Sequence, residues 1–168
     1  MINAYRSSIM HFLDDPRDRS ENAYEFFEDG LLIIEDGRVK QLGDAETLLK
    51  TLPPEVLVTH YPNAIITPGF IDTHIHYPQT EMIAAYGEQL LEWLETYTFP
   101  TEKKFEDTHY ARAIAERFLN ELLRAGTTTA LVFGTVHKSS VEAFFEACEN
   151  RNLRMVCGKV LMDRNAPS

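Results

Sequence analysis

Short apolar runs separated by turn residues fill the first part of the chain, and stretches of helical spacing alternate with apolar runs in the second. Leu31-Leu32-Ile33-Ile34-Glu35 and Val39-Lys40-Gln41-Leu42-Gly43 flank Asp36-Gly37, and Asp-Gly between two apolar runs is a strong hairpin signal. A short helix is expected over residues 45–51, ending before Pro53-Pro54. Val56-Leu57-Val58 and Ala64-Ile65-Ile66 read as two further extended segments. No element is assigned over residues 1–28.

The second part reads as strand, helix, strand, helix, strand. Strands are expected near residues 67–75, 128–136 and 154–162, which is the βαβ alternation of a parallel sheet. Thr108 is the expected N-cap of a helix running to Ala125, with Ile114, Phe118 and Leu122 on one face and Gly126 at its end. The stretch from Thr128 to Val136 is β-branched and apolar, as a strand buried on both faces should be, and His137 ends it. Ser139-Ser140-Val141-Glu142 then reads as a capping box, opening a helix whose Val141, Phe144, Phe145 and Cys148 face inward. Residues 77–107 are too many for an ordinary connection between strand and helix, so this segment is a functional candidate. Within it Leu90, Leu91, Trp93, Leu94 and Tyr97 predict a short helix whose apolar face serves packing or a subunit contact.

Chemistry concentrates at the end of the first of these strands, in His74-Ile75-His76-Tyr77-Pro78-Gln79. Successive side chains of a strand point to opposite faces, so His74 and His76 project together and two imidazoles can share one divalent ion. Neutral imidazole suits zinc, and a catalytic zinc keeps a position open for water or substrate. Two ligands are too few for such a site. Cys148 and Cys157 form no CxxC pair, which excludes a zinc finger and the base deaminases with a PCxxC signature, so His, Asp or Glu must complete the set. By alternation Asp72 shares the histidine face, where it could orient a ligand imidazole or make an ordinary polar contact. A bare HxH pair also has a bland explanation, two histidines on a solvated edge.

Composition narrows the classes. Hydrophobic residues make up 44% and charged residues 25%, ordinary values for a globular protein, and nothing suggests disorder. The expectation is a cytoplasmic protein. There is no run of about 18 apolar residues to span a membrane, the first residues lack a secretory pattern, and the two cysteines suit a reducing compartment. A net charge of −10 argues against a nucleic-acid backbone as partner and favours a small neutral substrate.

The run Pro68-Gly69-Phe70-Ile71-Asp72-Thr73-His74-Ile75-His76 resembles the PGFIDxHxH signature of the amidohydrolase superfamily. Gln79, the stretch Leu90-Leu91-Glu92-Trp93-Leu94-Glu95-Thr96-Tyr97-Thr98-Phe99-Pro100, Gly126-Thr127-Thr128-Thr129-Ala130 and Gly158-Lys159-Val160-Leu161-Met162-Asp163-Arg164-Asn165 are similar to the guanine deaminases within it. The likeness covers nearly the whole chain and is weakest over residues 1–28.

It implies an α/β fold. Residues 67–168 would be the first three βα units of a metal-dependent hydrolase (β/α)8 barrel, and residues 1–66 part of a small β-sandwich. A whole barrel takes about 250 residues, so this chain would be the N-terminal portion of a longer enzyme. The resemblance also implies His74 and His76 as ligands of one catalytic zinc, and Gln79 as the residue that reads the edge of the purine, with Tyr77 and Pro78 lining the same pocket. The activity implied is zinc-dependent hydrolysis of guanine to xanthine and ammonia, by a cytoplasmic and homodimeric full-length enzyme. The remaining ligands and the proton-shuttling acid are expected beyond Ser168, so no catalytic residue falls in this segment and the chain alone is expected to be inactive. His137, Asp163, Arg164 and Asn165 lie at the carboxyl ends of strands without an assigned task. The alternatives are another deaminase or chlorohydrolase of the superfamily, or a non-catalytic half of a split enzyme.

Overall fold

The computed structural model describes residues 1–19, 22–87 and 89–163. The chain forms two compact units, Met1–Pro68 and Gly69–Ser168.

The first unit is built on one four-stranded mixed sheet of order β3-β2-β1-β4, with β1 at Ile2–Phe12, β2 at Tyr24–Glu35, β3 at Arg38–Asp44 and β4 at Val58–Ile66. Helices α1 (Pro16–Arg19) and α2 (Ala45–Leu49) interrupt the strands. The predicted hairpin is β2-β3: Glu35 pairs with Arg38, and Asp36 (φ 51°) and Gly37 (φ 78°) both take the left-handed conformation that a two-residue turn requires. A small core of Ala4, Leu31, Ile33 and Ala45 lies under Leu48 and Leu49 of α2. A facing second sheet is not among the described residues.

Two features depart from expectation. Strand β1, unassigned from sequence, is central, pairing antiparallel with β2 and parallel with β4. Its middle, Arg6-Ser7-Ser8, is polar and breaks the alternation that would mark a half-buried strand, yet each side chain has a specific partner. Arg6 forks onto Asp29 through Nε at 2.7 Å and Nη2 at 2.6 Å, and the buried Ser7 hydroxyl donates to the Ala64 carbonyl at 2.6 Å. That hydroxyl also explains the second departure. The two extended segments expected around Pro62 are one strand, β4, whose register against β1 jumps between Arg6 and Ser8, and Ser7 clasps the bulged stretch.

In the second unit three parallel strands, β5 (Phe70–His76), β6 (Thr127–Phe133) and β7 (Arg154–Gly158), lie in the order β5-β6-β7. Helices α5 (Thr108–Arg124) and α6 (Lys138–Glu149) pack with the face that carries Ala130 and Val132. Between β5 and α5 the chain is helical for most of its length. A 3-10 stretch at Tyr77–Met82 comes first, then α3 (Leu90–Trp93), a π turn (Leu94–Thr98), α4 (Phe99–Lys103) and a 3-10 turn at Lys104–Glu106.

The pattern in α5 held. Ala111, Ile114, Ala115, Phe118, Leu119 and Leu122 are buried, and each large side chain contributes roughly 1.5–3 kcal/mol. A cap contributes about 1 kcal/mol, so the apolar face decides that the helix exists and the cap decides where it starts. The cap is Asp107 rather than Thr108, its carboxylate accepting from the His109 amide at 2.8 Å.

The expected capping box of α6 does not form. His137 stands at the N-cap without a side-chain bond. Ser139 instead donates to the Phe105 carbonyl, and Ser140 accepts from the Thr135 amide at 3.0 Å and donates to the His137 carbonyl at 2.7 Å. Both hydroxyls serve neighbouring segments, which outcompete the local motif. Phe144 and Cys148 are buried as expected, Val141 is half-buried, and Phe145 is 42% exposed because Ala143 and Ala147 carry the inward face instead.

Strands β6 and β7 end at Phe133 and Gly158, earlier than expected, and β6 is not buried on both faces. Ala130 and Val132 are covered, whereas Leu131, on the other face, is 42% exposed. Pro68-Gly69 has a steric cause: a Cβ on Gly69 would overlap the Thr128 side chain, whose own Cβ would stand 2.8 Å away. Only glycine lets the start of β5 run this close to β6.

Candidate metal and ligand site

His74 and His76 sit near the carboxyl end of edge strand β5, and their Nε2 atoms approach to 3.3 Å. His76 pairs in register with Phe133, and both imidazoles lie against that ring, with centroids 4.8 and 4.6 Å away. Two nitrogens 3.3 Å apart, each at the zinc–imidazole distance of about 2.0–2.1 Å from a common point, subtend roughly 110° there, close to the tetrahedral angle. The separation of the two nitrogens is thus compatible with both binding one zinc. Burial first, and then the charge of His74, hold His76 below the usual imidazole range, favouring the neutral form that binds metal. Among the described residues no cluster of three His, Cys, Asp or Glu side chains is placed to hold an ion.

Asp72 does not share the histidine face. The pairing of β5 with β6 is irregular between Asp72 and Ile75, so Asp72 stands opposite the buried Ala130, and its carboxylate accepts from the His74 amide at 2.9 Å. That bond orients the backbone at His74, and among the described residues the carboxylate makes no hydrogen bond to either imidazole.

A cavity of about 480 Å³ borders the histidines, and His74, His76, Gln79, Met82 and Trp93 help line it. Gln79 lines this cavity, its Nε2 lying 3.5 Å from His76 Nδ1. Trp93 donates from its indole to the Ala85 carbonyl at 3.0 Å, pinning the wall in which Ala84 takes a positive φ of 68°.

Tyr77 and Pro78 are corrected from pocket lining to core. Both are fully buried, and Tyr77 packs edge-on against Phe105 and beside Phe144, with centroids 5.2 Å away in each case, its hydroxyl donating to the Ser140 carbonyl. Burial pushes its phenol far above the ordinary range. In a tight turn after the strand the face of a tyrosine cannot be read from spacing, whereas the aromatic cluster of Phe105, Phe118 and Phe144 decides it.

His137 and Glu102 line a separate cavity of about 330 Å³, together with Phe99, Val136 and Met162. Glu102 is the polar residue that sequence reasoning missed. It is half-buried, burial holds its carboxyl above the ordinary range, and no motif marks it. Asp163 follows β7, and Arg164 and Asn165 lie outside the described residues.

The amidohydrolase family model matches residues 65–168, which takes in both histidines and the whole parallel sheet. The chain belongs to the amidohydrolase family. Among family members it is 55% identical to the guanine deaminase of Escherichia coli (strain K12), over 99% of this chain and 38% of that protein. Its fold matches the crystal structure of guanine deaminase from Bradyrhizobium japonicum with a TM-score of 0.89 at 42% identity, over 100% of this chain and 37% of that one. Guanine deaminase from C. acetobutylicum, solved with guanine bound in the active site, matches at 0.79 and 27% identity, over 100% and 38%. The chain thus spans somewhat over a third of the length of these relatives. Among the described residues no helix is long and apolar enough to cross a membrane.

Proposed function

We propose that this amidohydrolase chain forms the metal-binding and part of the base-binding wall of a guanine deaminase, hydrolysing guanine to xanthine and ammonia once the remaining ligands and a proton-shuttling acid join it. The observation that carries this reading is the juxtaposition of two convergent imidazoles with a glutamine on one cavity, in a chain 55% identical to a guanine deaminase. On the same reading, residues 67–168 are the first three βα units of a (β/α)8 barrel and residues 1–66 one layer of a β-sandwich. The exposed apolar side chains Ile71, Leu131 and Val156 in the parallel sheet support an interior face awaiting further strands. The whole enzyme is then a cytoplasmic homodimer that needs neither nucleic acid nor membrane.

His74 and His76 would hold the zinc through Nε2. Bound zinc supplies Lewis acidity that brings the pKa of water from about 15.7 toward 7. Phe133 stacks on the His76 imidazole and lies tilted against that of His74, covering one side of the pair. Gln79, three residues after His76, brings amide donors and an acceptor to the cavity, enough to read a purine edge. No group among these can shuttle the proton, so deamination requires residues from elsewhere.

Guanine-dependent ammonia release with added zinc tests the proposal, comparing this chain with one extended to the end of its reading frame. Activity in the extended chain alone is expected. Activity in neither would move the reading to another substrate of the superfamily, and activity in the short chain would overturn the account of missing ligands.

A further inference from the structure

A bulge separates Asp72 from the two histidines. Three steps along β5, from Asp72 to Ile75, meet only two along β6, from Ala130 to Val132, so β5 carries one extra residue there. Side chains alternate along a strand and residues in register share a face, so one inserted residue sends every later side chain to the opposite side. Ala130 and Val132 form the face packed by the helices, and Asp72 stands in register with Ala130. Without the insertion His74 would meet Val132, and both imidazoles would point into the helix-covered core. With it, Ile75 takes the place opposite Val132 and packs against that core, while His76 pairs with Phe133 and both imidazoles lie against its ring on the other face. The bulge has a cost in backbone bonds, since among the described residues neither Thr73 nor His74 has a register partner on β6. The His74 amide donates instead to Asp72 Oδ1 at 2.9 Å, a bond that closes across the extra residue.

We propose that Asp72 is a positioning residue for the imidazole pair. By accepting the His74 amide it holds the bulge that turns His74 and His76 to one face and brings their Nε2 atoms to 3.3 Å. This rests on reading the pair as zinc ligands. Asp72 itself touches neither imidazole, so it acts on the metal only through the backbone at His74. What the position requires is an oxygen acceptor at the reach of a single methylene, and not a negative charge.

The test titrates zinc into the metal-free extended chain against a chromogenic chelator. Asp72→Ala is expected to bind zinc about tenfold more weakly. Asp72→Asn keeps an oxygen at the same reach and should stay within about twofold of the wild type. Asp72→Glu keeps the charge but moves the acceptor by one methylene, and should lose about as much as the alanine variant. A general loss of stability, or of negative charge near the metal, would not give rescue by asparagine and not by glutamate. Equal affinities in all four proteins, asparagine as weak as alanine, or glutamate as tight as asparagine overturn the proposal. The order of asparagine and glutamate decides alone if the alanine variant does not fold. A second readout needs no metal: hydrogen exchange of the His74 amide should be slow in the wild type and Asp72→Asn, and about tenfold faster or more in Asp72→Glu and Asp72→Ala. Uniform exchange also overturns it. If exchange follows that order while His74→Ala and His76→Ala bind zinc as the wild type does, the zinc reading fails and takes the metal half of the proposal with it, while the hold of Asp72 on the bulge stands.

Discussion

Replacing Tyr77 by phenylalanine separates a core role from a ligand role at one of the two predicted pocket residues that the fold buries completely. The ring keeps its contacts with Phe105, Phe118 and Phe144, and only the hydroxyl that donates to the Ser140 carbonyl is lost. An orphaned buried carbonyl would cost up to about 3 kcal/mol. Ser140 lies in the first turn of α6, however, where the amide four residues on also donates to its carbonyl, so one bond survives. The loss is then the net worth of one hydrogen bond and a hydroxyl-sized void, about 1–2 kcal/mol in all. Tyr77→Ala, which empties the centre of the cluster, should cost about 3–5 kcal/mol. The assay is urea unfolding followed by the fluorescence of Trp93, the single tryptophan, which lies in the second unit and so reports that unit alone. For a unit of about 100 residues the phenylalanine variant should also lower Tm by roughly 4–8 °C per kcal/mol lost. An unchanged midpoint in Tyr77→Phe, coupled to a raised KM for guanine in the extended chain, would refute the core assignment and return Tyr77 to the ligand.

Removing either imidazole should weaken zinc binding. His74→Ala and His76→Ala are each expected to lower affinity about tenfold or more in competition with a chromogenic chelator, and unchanged affinity would dismiss the pair as ligands. Gly69→Ala should destabilise the second unit by about 1–3 kcal/mol because its Cβ overlaps Thr128, and an unshifted unfolding midpoint would show that β5 and β6 can part without cost. Burial raises the thiols of Cys148 and Cys157 to about 11, so at pH 8 about one in a thousand is ionised. Because the thiolate is the reacting form, both should react slowly with a disulfide reagent in the native state, faster as pH rises toward 11, and promptly in denaturant; rapid native labelling at pH 8 would contradict the burial.

Periodicity and turn chemistry determined the parts of this protein whose interactions lie within one element or one turn. Alternation placed His74 and His76 together, Asp36-Gly37 made its hairpin, and the apolar face of α5 was readable because each buried position repeats the same helical geometry. Gln79 was legible through a resemblance, and it does line the cavity. What eluded sequence reasoning depends on partners distant along the chain. Strand β1 hides behind polar residues that Asp29 and the β4 bulge satisfy, and an irregularity in β5 turns Asp72 away from the histidines. Ser139 and Ser140 leave their capping motif for the Phe105 carbonyl and the β6–α6 turn. Tyr77 joins an aromatic core assembled from three other segments, and Glu102 lines a cavity with His137 only because α4 and the β6–α6 turn meet. In each case a polar or aromatic group had several local outcomes of similar energy, and the choice was made by burial and hydrogen-bond satisfaction that exist only when distant segments meet.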